Sequence, residues 1–272
     1  MKTIDDIILQ YSNRGMKELY SKHQETKNAP IKSAKKLKEI KRGNIFIYTG
    51  FYVKGSAETD GPLGAYFLSI SLKKIGFSPI IITDKYCKDF FKDIRTIYIP
   101  IKKHPISYYE NILNLYDPVA HISIERCAKN IKNRYLNCNN EDISQYTANI
   151  DELFILGDKK SLSIAIGDGG NEIGMGNFQE FFKKRGTSSY SKVTSQITIV
   201  SSVSNWGAYG IIAAIEKIFK INCMPKFSEV DSYLEYIVSK GAIDGITHAS
   251  QKSVDSKDWA LEKQILDSLS SL

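Results

Sequence analysis

Six short apolar runs recur along this chain, and they limit what it can fold into more than any other feature. They are Ile45–Thr49 (IFIYT), Pro79–Thr83 (PIIIT), Thr96–Ile99 (TIYI), Pro118–Ile124 (PVAHISI), Leu162–Ile166 (LSIAI) and Gln196–Ser201 (QITIVS). Between them lie segments of helical periodicity: Ala65–Ile75 stopped by Gly76, Tyr86–Lys92, Ile150–Leu156, Phe178–Lys184 and Tyr209–Phe219. Short apolar strands that alternate with helices predict a parallel sheet buried on both faces. The expected fold is α/β. It is a mostly parallel sheet of about six strands with helices on both faces (Rossmann-like), plus N-terminal helices.

The N-terminal part differs from the rest. Residues 3–27 read as a helix broken near Asn13-Arg14-Gly15, and Ile31–Arg42 as a second amphipathic helix stopped by Gly43. The net charge of +7 sits almost wholly here: residues 1–43 hold 11 Lys/Arg and 5 Asp/Glu. These lysines are mixed with acids and have few aromatics between them. That favours a solvated helical face over a nucleic-acid patch. We therefore expect residues 1–43 to be a basic helical segment packing on the body, and 44–272 to be a single α/β catalytic domain. No apolar run approaches the roughly 20 residues that span a bilayer. The start, MKTIDDIILQ, does not read as a signal peptide, and the four scattered cysteines fit a reduced, cytoplasmic setting. Neither nucleic acid nor membrane is an expected partner; a homo-oligomer stays open.

In open parallel sheets, ligands bind beyond the carboxyl ends of the strands. Four polar clusters fall at such ends, at 52–64, 125–126, 167–176 and 204–207. The first, YVKGSAETDGPLGA, sets Glu58, Thr59 and Asp60 before a Gly-Pro-x-Gly helix start. A helix cap accounts for one of the three, and the free N–H groups of the start also attract a carboxylate. In the second, Glu125 and Arg126 follow a strand directly. They read either as a surface ion pair or as an acid/base group beside a fork for a substrate carboxylate. The third, IAIGDGGNEIGMG, places Asp168, Asn171 and Glu172 among five glycines. Its spacing is not G-x-G-x-x-G, and its acids would repel a pyrophosphate, so the loop suits a metal, an amine or proton transfer better than a dinucleotide. The fourth brings Ser204 and Asn205 to a strand-to-helix turn; Ser204 lacks the surroundings of a nucleophile. His121, inside a strand, reads as a packed core residue.

Taken together, ETDGP followed by GA, SIER after a buried strand, GDGGNEIGMG, SNWGAYG and a late GAIDGIT resemble the D-glutamate cyclase family. The resemblance runs from about Asn13-Arg14-Gly15-Met16 to Asp255. Leu63 and Cys127 stand where the family often has proline, and His248 and Ser256 replace glycines. The resemblance implies a carbon–oxygen lyase that condenses D-glutamate to 5-oxo-D-proline and water, with a divalent metal, manganese in the animal members.

Such a reaction must deprotonate the amine, neutralise the γ-carboxylate and protonate a leaving hydroxide. A carboxylate cluster supplies base, acid and hard ligands for manganese or magnesium. On this reading Asp60, Asp168 and Glu172 are metal or proton-transfer groups, and Glu58 and Glu125 are further acid/base candidates. Thr59, Arg126, Asn171, Ser204 and Asn205 orient a small acidic amino acid. The competing reading is a binding module for a nucleotide or an amino-acid-like ligand without catalysis.

Overall fold

The computed structural model describes residues 2–272. Three helices lead: α1 (Ile4–Ile8), α2 (Met16–Lys22) and α3 (Ala29–Glu39). Then come β1 (Asn44–Tyr48), a small hairpin of β2 (Tyr52–Val53) and β3 (Ser56–Ala57), α4 (Pro62–Lys74), β4 (Ser78–Thr83) and β5 (Arg95–Tyr98). The chain continues through α5 (Ile106–Tyr116), β6 (Ala120–Ile124), α6 (Ile150–Asp158), β7 (Leu162–Gly167), α7 (Gln179–Lys184) and β8 (Ile197–Val200). It closes with α8 (Ser204–Phe219), α9 (Phe227–Ser239) and α10 (Trp259–Ser270).

All six apolar runs become strands, each within two residues of its expected span. They form one parallel sheet in the order β5-β4-β1-β6-β7-β8. The chain therefore builds outward from β1 to one edge, then returns to the other side of β1 at β6. That reversal leaves a crevice at the carboxyl ends of β1 and β6, where open α/β sheets hold their ligands.

Alternate residues on each strand face opposite layers. Ile45 and Ile47 of β1 join a core with residues of α1, α3, α4, α8, α9 and α10, whereas Phe46 and Tyr48 join a second core with residues of α5 and α6. His121 belongs to the second layer. Its Nδ1 lies 2.6 Å from the Tyr48 hydroxyl, and burial pushes its pKa down to about 3. It is a packed core residue, as the sequence suggests. The leading helices share the first core: Ile4, Ile7, Met16, Leu19, Ala34 and Leu37 are all buried in it.

Two expectations change. Tyr86–Lys92 is no α-helix, only a 3₁₀ turn at Lys85–Cys87 capped by the Asp84 carboxylate. The loop expected across 52–64 contains the β2–β3 hairpin, reversed at Lys54 and Gly55, both at positive φ. Among the described residues no helix is long and apolar enough to cross a membrane.

The last helix is tied to the first core through one acid. Glu262 of α10 is buried and accepts from Trp206 Nε1 (2.6 Å) and the Tyr209 hydroxyl (2.9 Å), both on α8. Burial raises its pKa from 4.5 to about 7, against the pull of those two donors. The folded chain thus holds a proton that the unfolded chain has released. The stability from this group is fully present below the unfolded value and is lost as pH rises through the folded one, about 3 kcal/mol in all. Denaturant unfolding of wild type and Glu262→Gln at pH 5 and pH 8 checks this. The stability advantage of wild type over the variant should shrink as pH rises; a constant difference contradicts it.

Candidate active site

Two helix N-termini meet at the crevice and close each other. An isolated helix start leaves backbone N–H groups without acceptors. At the start of α8, the N–H groups of Ser204 and Asn205 donate to Asp60 Oδ2 (2.8 Å) and Oδ1 (2.7 Å). Asp60 itself stands just before α4. In return, Asn205 Oδ1 accepts from the N–H groups of Gly61 (2.9 Å) and Gly64 (2.8 Å) at the start of α4, and its Nδ2 donates to Thr59 O (3.1 Å). Gly64 makes the approach possible, since a Cβ there would lie 2.8 Å from Ala208 Cβ.

Around this knot the strand ends deliver acids. Glu125 follows β6 at a φ of +46°, a left-handed conformation that costs a non-glycine residue on the order of 1 kcal/mol. The turn aims its side chain at α8, where Oε2 accepts from the Ser204 hydroxyl at 2.6 Å. Asp168 follows β7; its Oδ1 accepts from Arg14 Nη1 at 2.6 Å, and its Oδ2 is buried without a partner. Asp60, Glu125 and Asp168 each bring one oxygen within 4.8 Å of the others, all three residues buried. Glu58 lies beside them, pressed against the Ile243–Gly245 turn: a Cβ at Gly245 would fall 1.8 Å from Glu58 Oε2. Asp255 completes the set, its Oδ2 lying 2.9 Å from Arg14 Nη2.

Burial is the leading cause that raises the pKa values of Glu58, Asp60, Glu125, Asp168 and Glu172, and neighbouring carboxylates add to it on the first four. Arg14 opposes the rise on Asp168 and Glu58. Burial disfavours its own charge, but Asp168 and Asp255 more than compensate and hold it ionised. One guanidinium thus faces a cluster of buried acids. Such a cluster retains protons or takes up a cation. The cleft above it has a volume of about 260 Å³. Arg14, Glu58, Glu125, Gly169 and Asn171 line it together with Tyr52, Lys54, Ile143, Tyr146 and His248.

The sequence pattern described as "D-glutamate cyclase-like, C-terminal" matches residues 4–270. The chain belongs to this family. Among curated proteins, the mitochondrial D-glutamate cyclase of Homo sapiens is 27% identical over 199 residues. That match covers 63% of this chain and 32% of the human protein, so the chain spans about a third of that relative's length. A short chain dehydrogenase family protein from Francisella tularensis aligns over 85% of this chain and 91% of its own, at 11% identity and a TM-score of 0.32.

In this member of the family, the expected site residues divide. Asp60, Glu125 and Asp168 meet, Glu58 and Asn171 line the same cleft, and Ser204 holds Glu125. Glu172 faces back into its own loop, where Oε1 and Oε2 accept from the N–H groups of Gly169 and Gly170, each at 2.7 Å. The three oxygens that come together are therefore not those of Asp60, Asp168 and Glu172. Arg126 is directed away from the cleft. Nη1 donates to Gly50 O and to Asp84 Oδ2 (2.8 Å), and Nη2 to Ala148 O (2.9 Å), so no fork remains for a substrate. Thr59 donates its hydroxyl to Ser253 O (2.8 Å), and Asn205 is spent on the helix starts. Arg14 and Asp255 were missed as site residues. The signals were that Arg14 is a cationic break between two helices directly before a glycine, and that both residues stand at the ends of the stretch that resembles the family.

Asn205→Ala leaves the Gly64 N–H without its side-chain acceptor and the Gly61 N–H with Asp60 Oδ1 alone, and it should cost about 2 kcal/mol in denaturant unfolding. A loss near zero would show that the two helix starts do not depend on each other.

Proposed function

We propose that this chain is a lyase of the D-glutamate cyclase type, converting D-glutamate to 5-oxo-D-proline and water. The observation that carries this reading is the gathering of Asp60, from the loop before α4, with Glu125 and Asp168, from the ends of β6 and β7, beneath a small cleft at the point where the sheet reverses. The family membership supports it, and so does the similarity to the human D-glutamate cyclase. A nucleotide is disfavoured by Glu172. In phosphate-binding loops the glycine N–H groups cradle the phosphate. Here a carboxylate of the chain already occupies those of Gly169 and Gly170.

The reaction moves two protons from nitrogen to oxygen. The substrate ammonium gives up a proton, the amine lone pair adds to the γ-carbon, a second N–H proton is lost, and one γ-oxygen leaves as water. Glu58 faces the cleft outside the set that would hold a metal and is the group best placed to take these protons and return them to the departing oxygen; Glu125 can share that work only where its free oxygen holds no metal. The Ser204 hydroxyl fixes one oxygen of Glu125, leaving the other free. Tyr52 and Tyr146, which also line the cleft, stack with ring centroids 4.6 Å apart.

The residues also fit a divalent metal. Three hard carboxylate oxygens lie close together, and Asp168 Oδ2 is a buried acceptor without a donor. Asp60, Glu125 and Asp168 would hold it. When bound, it would supply charge neutralisation for the γ-carboxylate.

D- and L-glutamate, each with and without manganese or magnesium, should be followed by NMR for 5-oxoproline. Turnover of D-glutamate is expected, and Glu58→Gln and Glu125→Gln should each lower kcat/KM by about 10²-fold or more. No product from either enantiomer with either metal would end the reading. Separately, millimolar manganese should raise the Tm of wild type but not of Asp168→Asn; an equal rise in both would remove Asp168 from the metal set.

A further inference from the structure

An acidic ligand entering this cleft meets a floor of buried carboxylates and needs a fixed positive charge. Among the residues lining the cleft, Arg14 is the one guanidinium, and the other full-time cation, Lys54, sits at the exposed tip of the β2–β3 hairpin. The Arg14 side chain is 26% exposed, although the carboxylates it pairs with, Asp168 and Asp255, are 0% and 4% exposed. Its accessible side is therefore the one away from them, toward the cleft. A guanidinium has five N–H donors. One is spent on Asp168 Oδ1, and Nη2 makes an ion pair with Asp255 that is not aligned as a hydrogen bond.

The backbone around Arg14 is fixed. Gly15, at a φ of +88°, packs against the Arg185 guanidinium, where a Cβ would fall 2.9 Å from Arg185 Cζ. Arg185 is itself paired with Glu18 on α2. The strap between α1 and α2 is thus pinned on the far side, and Arg14 is delivered over the glycine-rich loop: a Cβ on Gly169 would lie 3.9 Å from Arg14 Nη1.

We propose that Arg14 is the receptor for the α-carboxylate of the ligand, with Asp168 and Asp255 holding its guanidinium in place. The inference rests on the acidic amino-acid substrate proposed above. The γ-carboxyl must reach the acids that transform it; the α-carboxylate survives the reaction and is the group a fixed cation can hold throughout. A guanidinium serves this better than an ammonium because its planar fork stays oriented while two acids grip it.

The test is equilibrium binding by calorimetry, with the full chain, of D-glutamate and of its α-amide, D-isoglutamine. Wild type should prefer D-glutamate by about tenfold or more. Arg14→Gln should lose that preference, weakening D-glutamate by about 10- to 100-fold while leaving the amide nearly unchanged. Arg14→Lys, which keeps a charge between Asp168 and Asp255, should retain part of it. A purely structural role would lower Tm and leave the acid-to-amide ratio intact. A ratio that survives in folded Arg14→Gln, or no acid preference in wild type, overturns the proposal. If the ratio collapses but wild type forms no 5-oxoproline, the cyclase reading falls and the receptor stands. If the variant cyclises D-glutamate with unchanged KM, the receptor falls and the cyclase reading stands.

Discussion

The exchange of caps between Asp60 and Asn205 is the constraint on which the rest of the site depends. Each residue stands at the start of one helix and satisfies the backbone of the other. Neither helix start is closed without its neighbour, so α4 and α8 are locked at one separation and one orientation. This fixes the loop after β1 against the loop after β8, across two intervening strands. Ser204 is fixed with them, and through its hydroxyl so is Glu125. A local rule of helix capping therefore does long-range work. It carries acids from separate strand ends into one small volume.

The same arrangement explains how so many carboxylates can share that volume. Two helix N-termini point into it, each equivalent to roughly half a positive charge. Asp60 receives backbone donors from both: Ser204 and Asn205 of α8, and Gly61 at the start of α4. Glu172 receives two donors from the glycine loop, so it is satisfied within its own loop. Glu125 and Asp168 receive less, and Asp168 Oδ2 receives nothing. The unsatisfied part of the cluster is thus at its centre, toward Arg14 and the cleft.

Much of this fold was legible in the sequence because a parallel strand buried on both faces must be apolar along its length. Strand ends were equally plain, since polarity and glycine return abruptly there. What the sequence could not show is direction. Glu125 and Arg126 are neighbours, but the left-handed turn at Glu125 (φ +46°) sends their side chains to different places, and nothing in the sequence marks that turn. Only one of them enters the cleft, and the other serves Asp84 and two carbonyls beyond it. Residues from outside the sheet were harder still. Arg14 and Asp255 reach the site from a helix break and an irregular loop, where no periodicity links sequence position to place. Helix α5 was missed for another reason: Ile106–Tyr116 buries only Tyr109 and Leu113, too sparse a stripe to stand out.

The glycine-rich loop changes most in meaning. In phosphate-binding loops in general, glycine N–H groups at a helix start are offered to the ligand phosphate. Here Glu172 takes those donors, two residues beyond the glycines it braces. The substitution of an internal carboxylate for an external phosphate has two effects. It removes the cradle that a dinucleotide requires, and it makes the loop rigid without any ligand. Asp168, directly before the glycines, is then held by the loop on one side and by Arg14 on the other. The crevice that elsewhere receives anions has become an acidic chamber with a single guanidinium at its edge. If an anionic ligand enters such a chamber, the Arg14 guanidinium, braced by two buried acids, is the group placed to fix its orientation.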